Sequence, residues 1–357
     1  MKILFVVPYP IGQAPSQRFR FEQYFHILAN QEIYYQVQSF WDEKTWAILY
    51  RPGQAWAKVF GMARGFCRRI ALLFQLQPYD FVFIHREVSP IGPPIFEWLI
   101  SKVFRKKIIY DFDDAIWLPN TSEVNNLVAR LKWSDKVSKI CQWAYKVSCG
   151  NAYLCQYARQ YNASVVLNPT TIDTDYLHNR TNTEEPTSGQ LPVIGWTGTH
   201  STLPYLQELL PILRQLEQKL GFNFCVISNQ APDLTLQSLQ FLPWKKDTEI
   251  SDLLLFDIGV MPLTDDAWAK GKCGFKALQY MALGIPPLVS PVGVNTDIVN
   301  HGVDGFICDK PDEWQVALME LLTNEVLRKK IGKAARLKIE SRYSVKSNTK
   351  NFLQLFT

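Results

Sequence analysis

The residues best suited to chemistry lie in Gly271–Asn295, GKCGFKALQYMALGIPPLVSPVGVN. Lys276, Gln279 and Tyr280 stand at i, i+3 and i+4, a spacing that puts three side chains on one face of a helix. The Gly274-Phe275 step just before them predicts a loop feeding a helix start. Such a start offers unpaired N–H groups and the positive end of the helix dipole, which together suit a phosphate. Lys272 and Lys276 would add full positive charge there. The plainer alternative is an ordinary helix and loop with surface lysines. Ala282-Leu283-Gly284-Ile285-Pro286 then reads as a helix stop followed by a buried strand.

Four more constellations follow apolar runs. After Lys2–Val7 comes Gly12-Gln13-Ala14-Pro15-Ser16-Gln17-Arg18-Phe19-Arg20. Gly12 permits close backbone approach, Ser16 could cap the next helix, and Arg18 and Arg20 could reach an anion. A capped helix with solvated arginines is the alternative. After Phe81–Ile84 comes His85-Arg86-Glu87, able to bind hydroxyls, although a lone His is more often structural. Lys107–Phe112 leads into Asp111, Asp113 and Asp114, three carboxylates that fit an Asp-x-Asp metal site, a hydroxyl ligand set, or simple capping and ion pairing. Gly198-Thr199-His200-Ser201 is a glycine turn entering a helix, a second place for phosphate oxygens.

Parallel sheets must position these residues. Expected strands Lys2–Val7, Phe81–Ile84, Lys107–Phe112 and Val165–Leu167 alternate with helical stretches Arg18–Asn30, Pro93–Phe104 and Val124–Gly150. The polar stretch Asn179–Gln190 has linker composition, after which the pattern restarts. Strands are then expected over Pro192–Trp196, Phe222–Ser228, Ile258–Met261, Pro287–Ser290 and Gly305–Ile307, with helices over Leu203–Leu220, Phe275–Leu283, Asp312–Thr323 and Glu325–Tyr343. Strand–helix alternation implies a parallel sheet with helices on both faces. Two such runs around a linker predict an α/β protein of two Rossmann-like, doubly wound domains, 1–180 and 190–343. Ligands of such sheets sit beyond the carboxyl ends of strands, where every constellation above falls.

Composition narrows the classes. With 357 residues, 47% hydrophobic and 20% charged, the chain is globular and long enough for two cores. Apolar runs such as Ile70–Phe74 are too short to span a bilayer. The 7 cysteines form no CxxC pair, which argues for reduced thiols in the cytoplasm and against a zinc site. Residues 1–170 carry 20 Lys and Arg against 12 Asp and Glu, whereas 171–357 carry 18 against 21. A basic first half implies an anionic partner. Within it, Ala55–Gln75 interleaves Arg64, Arg68 and Arg69 with Phe60, Met62, Phe66 and Ile70. That reads either as an element lying on an anionic membrane surface or as a core helix with one solvated basic face. No nucleic-acid recognition motif is present.

The C-terminal stretch resembles glycosyltransferase family 4. Gln279-Tyr280-Met281-Ala282-Leu283-Gly284-Ile285-Pro286, then Leu288-Val289-Ser290-Pro291-Val292-Gly293, then Asp297-Ile298-Val299 and His301-Gly302-Val303-Asp304-Gly305-Phe306 follow the family's spacing over about forty residues. Leu167–Asp173, Val193–Thr199 and Phe256–Leu263 match it more weakly. The resemblance implies the GT-B fold, two Rossmann-like domains facing a cleft, with a last helix, 344–357, returning to the first. It implies transfer of a sugar from a nucleoside-diphosphate sugar co-substrate to a hydroxyl, with retention and no further cofactor or metal. Carried over residue by residue, it assigns the donor to Gly12, Arg18, Gly198, Thr199, His200, Lys272, Gly274, Phe275, Lys276 and Gln279. Asp113, Asp114 and His85 would act at the transferred sugar, and Arg86, Glu87 and Arg20 at a glycan or lipid-linked acceptor. Such an enzyme would be cytoplasmic, or peripheral at the inner face of the membrane. The family's pair of glutamates with seven residues between them is not intact here, the first falling near Gly271 and the second at Gln279, and its usual Arg and Lys after the first donor-domain strand are missing from Thr197–Tyr205. A non-catalytic relative that binds glycans or partners, and a phosphorylase or epimerase on the same fold, are the alternatives.

Overall fold

The computed structural model describes residues 1–118, 133, 135–179 and 191–357. It divides into two compact units, Met1–Thr170 with Thr349–Thr357, and Thr171–Asn348.

The first unit is one parallel sheet in the order β2-β1-β3-β4-β5-β6. Its strands are β1 Lys2–Val7, β2 Tyr34–Ser39, β3 Phe81–His85, β4 Lys107–Phe112, β5 Lys146–Cys149 and β6 Val165–Leu167. Between them run helices α1 Pro15–Arg18, α2 Phe25–Asn30, α3 Glu43–Leu49, α4 Ala55–Leu73, α5 Ile95–Trp98, α6 Lys136–Trp143 and α7 Ala152–Arg159. β1 and β3 are buried along nearly their whole length, as strands covered on both faces must be. Phe5, Phe21 and Phe83 form the aromatic centre of this core. The C-terminal residues close it, with Phe352 stacked 4.2 Å from Tyr24 and Phe356 packed on Phe5 and Phe83. Burying each such ring stabilises the unit by roughly 1.5–3 kcal/mol.

The second unit is a parallel sheet in the order β12-β11-β10-β7-β8-β9. Its strands are β7 Val193–Gly198, β8 Asn223–Ser228, β9 Leu239–Pro243, β10 Ile258–Met261, β11 Pro287–Val289 and β12 Phe306–Ile307. Its helices are α8 Leu210–Glu217, α9 Glu249–Leu253, α10 Ala267–Lys270, α11 Phe275–Ala282, α12 Asn295–Ile298, α13 Pro311–Thr323, α14 Glu325–Lys338 and α15 Val345–Leu353, whose last residues belong to the first unit. One face of the sheet packs Trp196, Leu213, Val226 and Leu318, the other Ile227, Phe256, Tyr280 and Ile285.

Several expected boundaries move. Arg18–Asn30 is not one helix: α1 ends at Arg18, a short 3-10 turn Glu22–Tyr24 follows, and α2 starts at Phe25. Ser16 lies inside α1, and the capping position before that helix, Ala14, supplies no side-chain cap. Leu203–Leu220 breaks into a 3-10 helix His200–Glu208, containing Pro204, and then α8, which begins ahead of Pro211. Lys146–Cys149, expected as the end of the helix Val124–Gly150, is strand β5; residues 124–132 and 134 of that stretch lie outside the described residues. The units part at Thr170, ahead of the linker-like stretch, of which 180–190 lies outside the described residues. The reason is local: Ile172 pairs with Tyr343 and Val345 backbone, and Arg336 donates to the carbonyls of Thr174 and His178.

Candidate functional site

In each sheet the chain starts in the middle and winds outward both ways. The reversal falls between β1 and β3 in the first unit and between β7 and β10 in the second. Loops at the carboxyl ends diverge at such a point and leave a crevice for ligands.

In the second unit Tyr280 ties this point together. Its hydroxyl accepts from the Thr197 N–H of β7 at 3.0 Å and donates to the Val260 carbonyl of β10 at 3.5 Å. Burial pushes that hydroxyl's pKa up, so it stays a neutral donor. Helix α11 is thereby anchored across the two strands that flank the reversal. Its start is Gly274, at φ 67°, a left-handed conformation that favours glycine, with Phe275 as first residue. Lys276, one turn before Tyr280, places its ammonium 5.4 Å from the Trp196 ring centre, and Lys272 lies 5.7 Å from Trp268. Gln279 is buried, and its amide nitrogen has no hydrogen-bond partner among the described residues. A buried donor of this kind needs an explanation, because leaving it unpaired costs about 1–3 kcal/mol. At the end of β7, Gly198 and Thr199 lead into His200, whose N–H and ring both bond the Asn229 side chain, at 2.8 and 3.1 Å. Thr199 shares a hydroxyl hydrogen bond with Ser201. The arrangement thus gathers Gly198, Thr199, Lys276 and Gln279 on elements meeting at one crevice.

In the first unit the charged residues after β1, β3 and β4 form two connected layers. The inner layer is Asp111, fully buried. It accepts from the Arg20 guanidinium, from Ser148 Oγ at 2.6 Å, and pairs with His85 Nδ1 at 2.8 Å. Burial alone would push this carboxyl up, but Arg20 and His85 outweigh it and hold it below the usual carboxylate range. Arg20 also donates to the Asn168 carbonyl and is only 1% exposed. It is therefore a core residue, and its expected place at an acceptor is corrected: its donors are spent on Asp111 and Asn168.

The outer layer begins at His85 Nε2, which is buried, has no hydrogen-bond partner among the described residues and lies 4.0 Å from Asp113. The tautomer with Nδ1–H directed at Asp111 leaves Nε2 as the ring nitrogen on the Asp113 side. Arg86 donates to Asp113 at 2.7 Å and to Asp114 at 2.5 Å. Burial works against its charge, but the two carboxylates outweigh that and keep it cationic. Its backbone sits at φ 61°, unusual for a non-glycine, held by the Tyr110 hydroxyl on its carbonyl and the Asp111 carbonyl on its N–H. Glu87 pairs with Lys136 at 2.6 Å. Arg86 and Glu87 thus have protein partners of their own. Gly12, at φ 76°, gives its N–H to Glu22, which Gln17 also holds. Arg18, mostly buried, lies over the Phe19 ring. No group of three or more His, Cys, Asp or Glu among the described residues is arranged to hold a metal.

Sequence reasoning passed over Tyr280 as a strand tie, Trp196 under Lys276, Asn229 beside His200, and Glu22. Tyr280 had a local signal, its i+4 spacing from Lys276, and Glu22 bonds its near neighbours Gly12 and Gln17; Trp196 and Asn229 meet their partners across the fold.

Residues 225–338 match the family model for glycosyl transferases group 1. The chain is 27% identical over 138 residues to N-acetyl-alpha-D-glucosaminyl L-malate synthase of Bacillus anthracis, a match covering 37% of this chain and 35% of that relative, so about a third of its length. The fold is similar to sucrose-phosphate synthase of Thermosynechococcus elongatus, with TM-score 0.70, 13% identity, and 99% and 98% of the two chains covered. It is also similar to Anabaena HepE solved with UDP-glucose, with TM-score 0.60, 14% identity, and 99% and 98% covered.

Proposed function

We propose that this chain, whose residues 225–338 match the glycosyl transferases group 1 family model, moves a sugar from a nucleoside-diphosphate sugar to a hydroxyl acceptor with retention. The observation that carries the reading is the Tyr280 tie, which sets Lys276 and Gln279 at the reversal of the second sheet. The α11 start, Lys272 and Lys276 would take the diphosphate, and the Gln279 amide a ribose hydroxyl. Gly198, Thr199 and His200 would line the same donor. A uridine nucleotide is the first donor to try, since HepE was solved with UDP-glucose.

The chemistry asked of the chain is electrostatic. As the sugar–phosphate bond breaks, negative charge grows on the leaving diphosphate, and fixed N–H groups and lysines stabilise it without reorganising. The acceptor oxygen bonds to the sugar's anomeric carbon on the same face, and its proton passes to the departing phosphate oxygen. The first unit supplies the acceptor side. His85, oriented by Asp111, would accept a sugar hydroxyl at Nε2, while Arg86 fixes Asp113 and Asp114 for others. Gly12 and Arg18 would approach the donor, and a glycan or lipid-linked alcohol would be the acceptor.

The test is a thermal-shift panel of UDP- and GDP-sugars, followed by product analysis. A ligand that binds the native state adds about 2.7 kcal/mol of stability at a hundredfold excess over Kd and thereby raises the melting temperature. Stabilisation by one nucleotide sugar, lost in Gln279→Leu, is expected. No shift with any of them would overturn the reading.

A further inference from the structure

Helix α4 is inverted. The face it lays on the first unit carries Gly61, Gly65, Arg69 and Leu72. A Cβ on Gly61 would strike Thr45, and one on Gly65 would strike the Phe40 ring, so the helix backbone itself is pressed against its support. Arg69 is fully buried and donates to the carbonyls of Val88, Gln38 and Val7 at 2.8, 2.9 and 2.7 Å. The opposite face turns outward with Trp56 78%, Phe60 67%, Ile70 52% and Phe74 82% exposed, together with Val59, Ala63 and Cys67. Positions 56, 59, 60, 63, 67, 70 and 74 recur in steps of one, three or four residues. They make one apolar stripe along the helix, about 28 Å long at 1.5 Å per residue. Exposed apolar residues scattered singly are ordinary; a continuous stripe marks an interaction surface. Phe66, on the helix flank, lies 6.2 Å from Phe96, and there Ile95 and Trp98 of α5 are exposed as well.

Charge identifies the occupant. Residues 44–79 contain Lys44, Arg51, Lys58, Arg64, Arg68 and Arg69, and no Asp or Glu. A symmetric contact between two copies would set this acid-free cationic segment against itself. An anionic lipid surface complements it, and aromatic rings beside cations suit the headgroup boundary. No helix among the described residues is long and apolar enough to cross a membrane.

We propose that α4 lies in the plane of an anionic bilayer, with Trp56, Phe60, Ile70 and Phe74 in the headgroup–acyl boundary and Arg51 and Lys58 at lipid phosphates. The basic-face expectation is corrected on the way. Arg69 is in the core, and Arg64 and Arg68 lie 3.3 and 3.8 Å from Asp42, so insertion rests on the rings more than on the arginines.

The experiment floats the full chain with vesicles of phosphatidylcholine alone or mixed with phosphatidylglycerol, without nucleotide, so it is independent of the donor reading. The wild type is expected to float with the anionic vesicles, and a portion should stay bound in high salt. Trp56→Ser/Phe60→Ser/Phe74→Ser should lower the bound fraction at least ~tenfold at low and high salt alike. The three side chains are exposed, so its melting temperature should match the wild type's. Brominated lipid should quench wild-type fluorescence more than that of Trp56→Phe. The proposal is overturned if the wild type does not float, or if the triple variant floats as well as the wild type. It is overturned equally if the stripe instead drives a concentration-dependent dimer that the triple substitution dissolves and vesicles do not compete with.

Discussion

Replacing Arg20 by Met separates a core role from a ligand role. Arg20 and Asp111 are 1% and 0% exposed, and the carboxylate is shared with His85 and Ser148. Removing one partner of a buried ion pair leaves an uncompensated charge and costs about 3–5 kcal/mol. For a unit of this size each kcal/mol moves the midpoint roughly 2–4 °C, so Arg20→Met should melt about 6–20 °C lower. Adding Asp111→Leu should recover part of the loss, because the stranded charge is then gone, and the coupling reads directly from the double-mutant cycle. pH supplies a second axis. In the wild type the Asp111 carboxyl is held low, so its stabilisation is fully present above the unfolded value of about 3.9 and is lost as pH falls through the lower folded value. In Arg20→Met the opposing burial wins and the folded value rises above the unfolded one, so protonation relieves the variant. The melting gap should therefore narrow between pH 7 and pH 3. Calorimetry and far-UV melts over that range make the assay. A variant that melts like the wild type at pH 7 while its acceptor KM rises would refute the core assignment.

Lys276→Ala should weaken nucleotide-sugar binding by about 1.5–3 kcal/mol, a loss of roughly ten- to 150-fold, read by titration calorimetry with the fold checked by melting. Unchanged affinity would remove Lys276 from the diphosphate site. Tyr280→Phe should cost about 1–3 kcal/mol of stability, because the buried Thr197 N–H loses its acceptor, and donor affinity should fall with it; thermal melts and the same titration check both. Transfer activity should survive EDTA, since Asp113 and Asp114 already face the Arg86 guanidinium. Loss on chelation with recovery on manganese would restore the Asp-x-Asp metal reading.

The sheets were legible wherever strands are buried on both sides. KILFVV and FVFI announce β1 and β3 without help from their surroundings. The strands passed over are the ones that do not look apolar. β2 and β9 are edge strands with partly exposed, polar-interrupted sequences, and β5 is a four-residue KVSC run after a helix. The α11 neighbourhood was legible because its glycine, lysine and glutamine spacing is local. The Arg20–Asp111 pair was not, since 91 residues separate its members and only the β1, β4 and β5 ends bring them together. Arg18 and Arg20 look alike in sequence, yet only the fold shows that Arg20 ends on a buried carboxylate.

Helix α4 shows why periodicity alone gives a stripe but not its direction. Seven apolar positions on one side would ordinarily be assigned to the core, and the cations to water. Here the cation goes inward because the ends of β1 and β2 present carbonyls there, at Val7 and Gln38, that a guanidinium can satisfy. Two glycines then let the helix settle close enough for Arg69 to reach them. Once the polar group and the small residues hold the inner face, the rings have only the outer one. A buried arginine and an exposed aromatic stripe on one helix are two departures from the usual partition of residues, and they have a single cause. The outer face is fitted to a medium other than water, and the cations around it give that medium a negative surface.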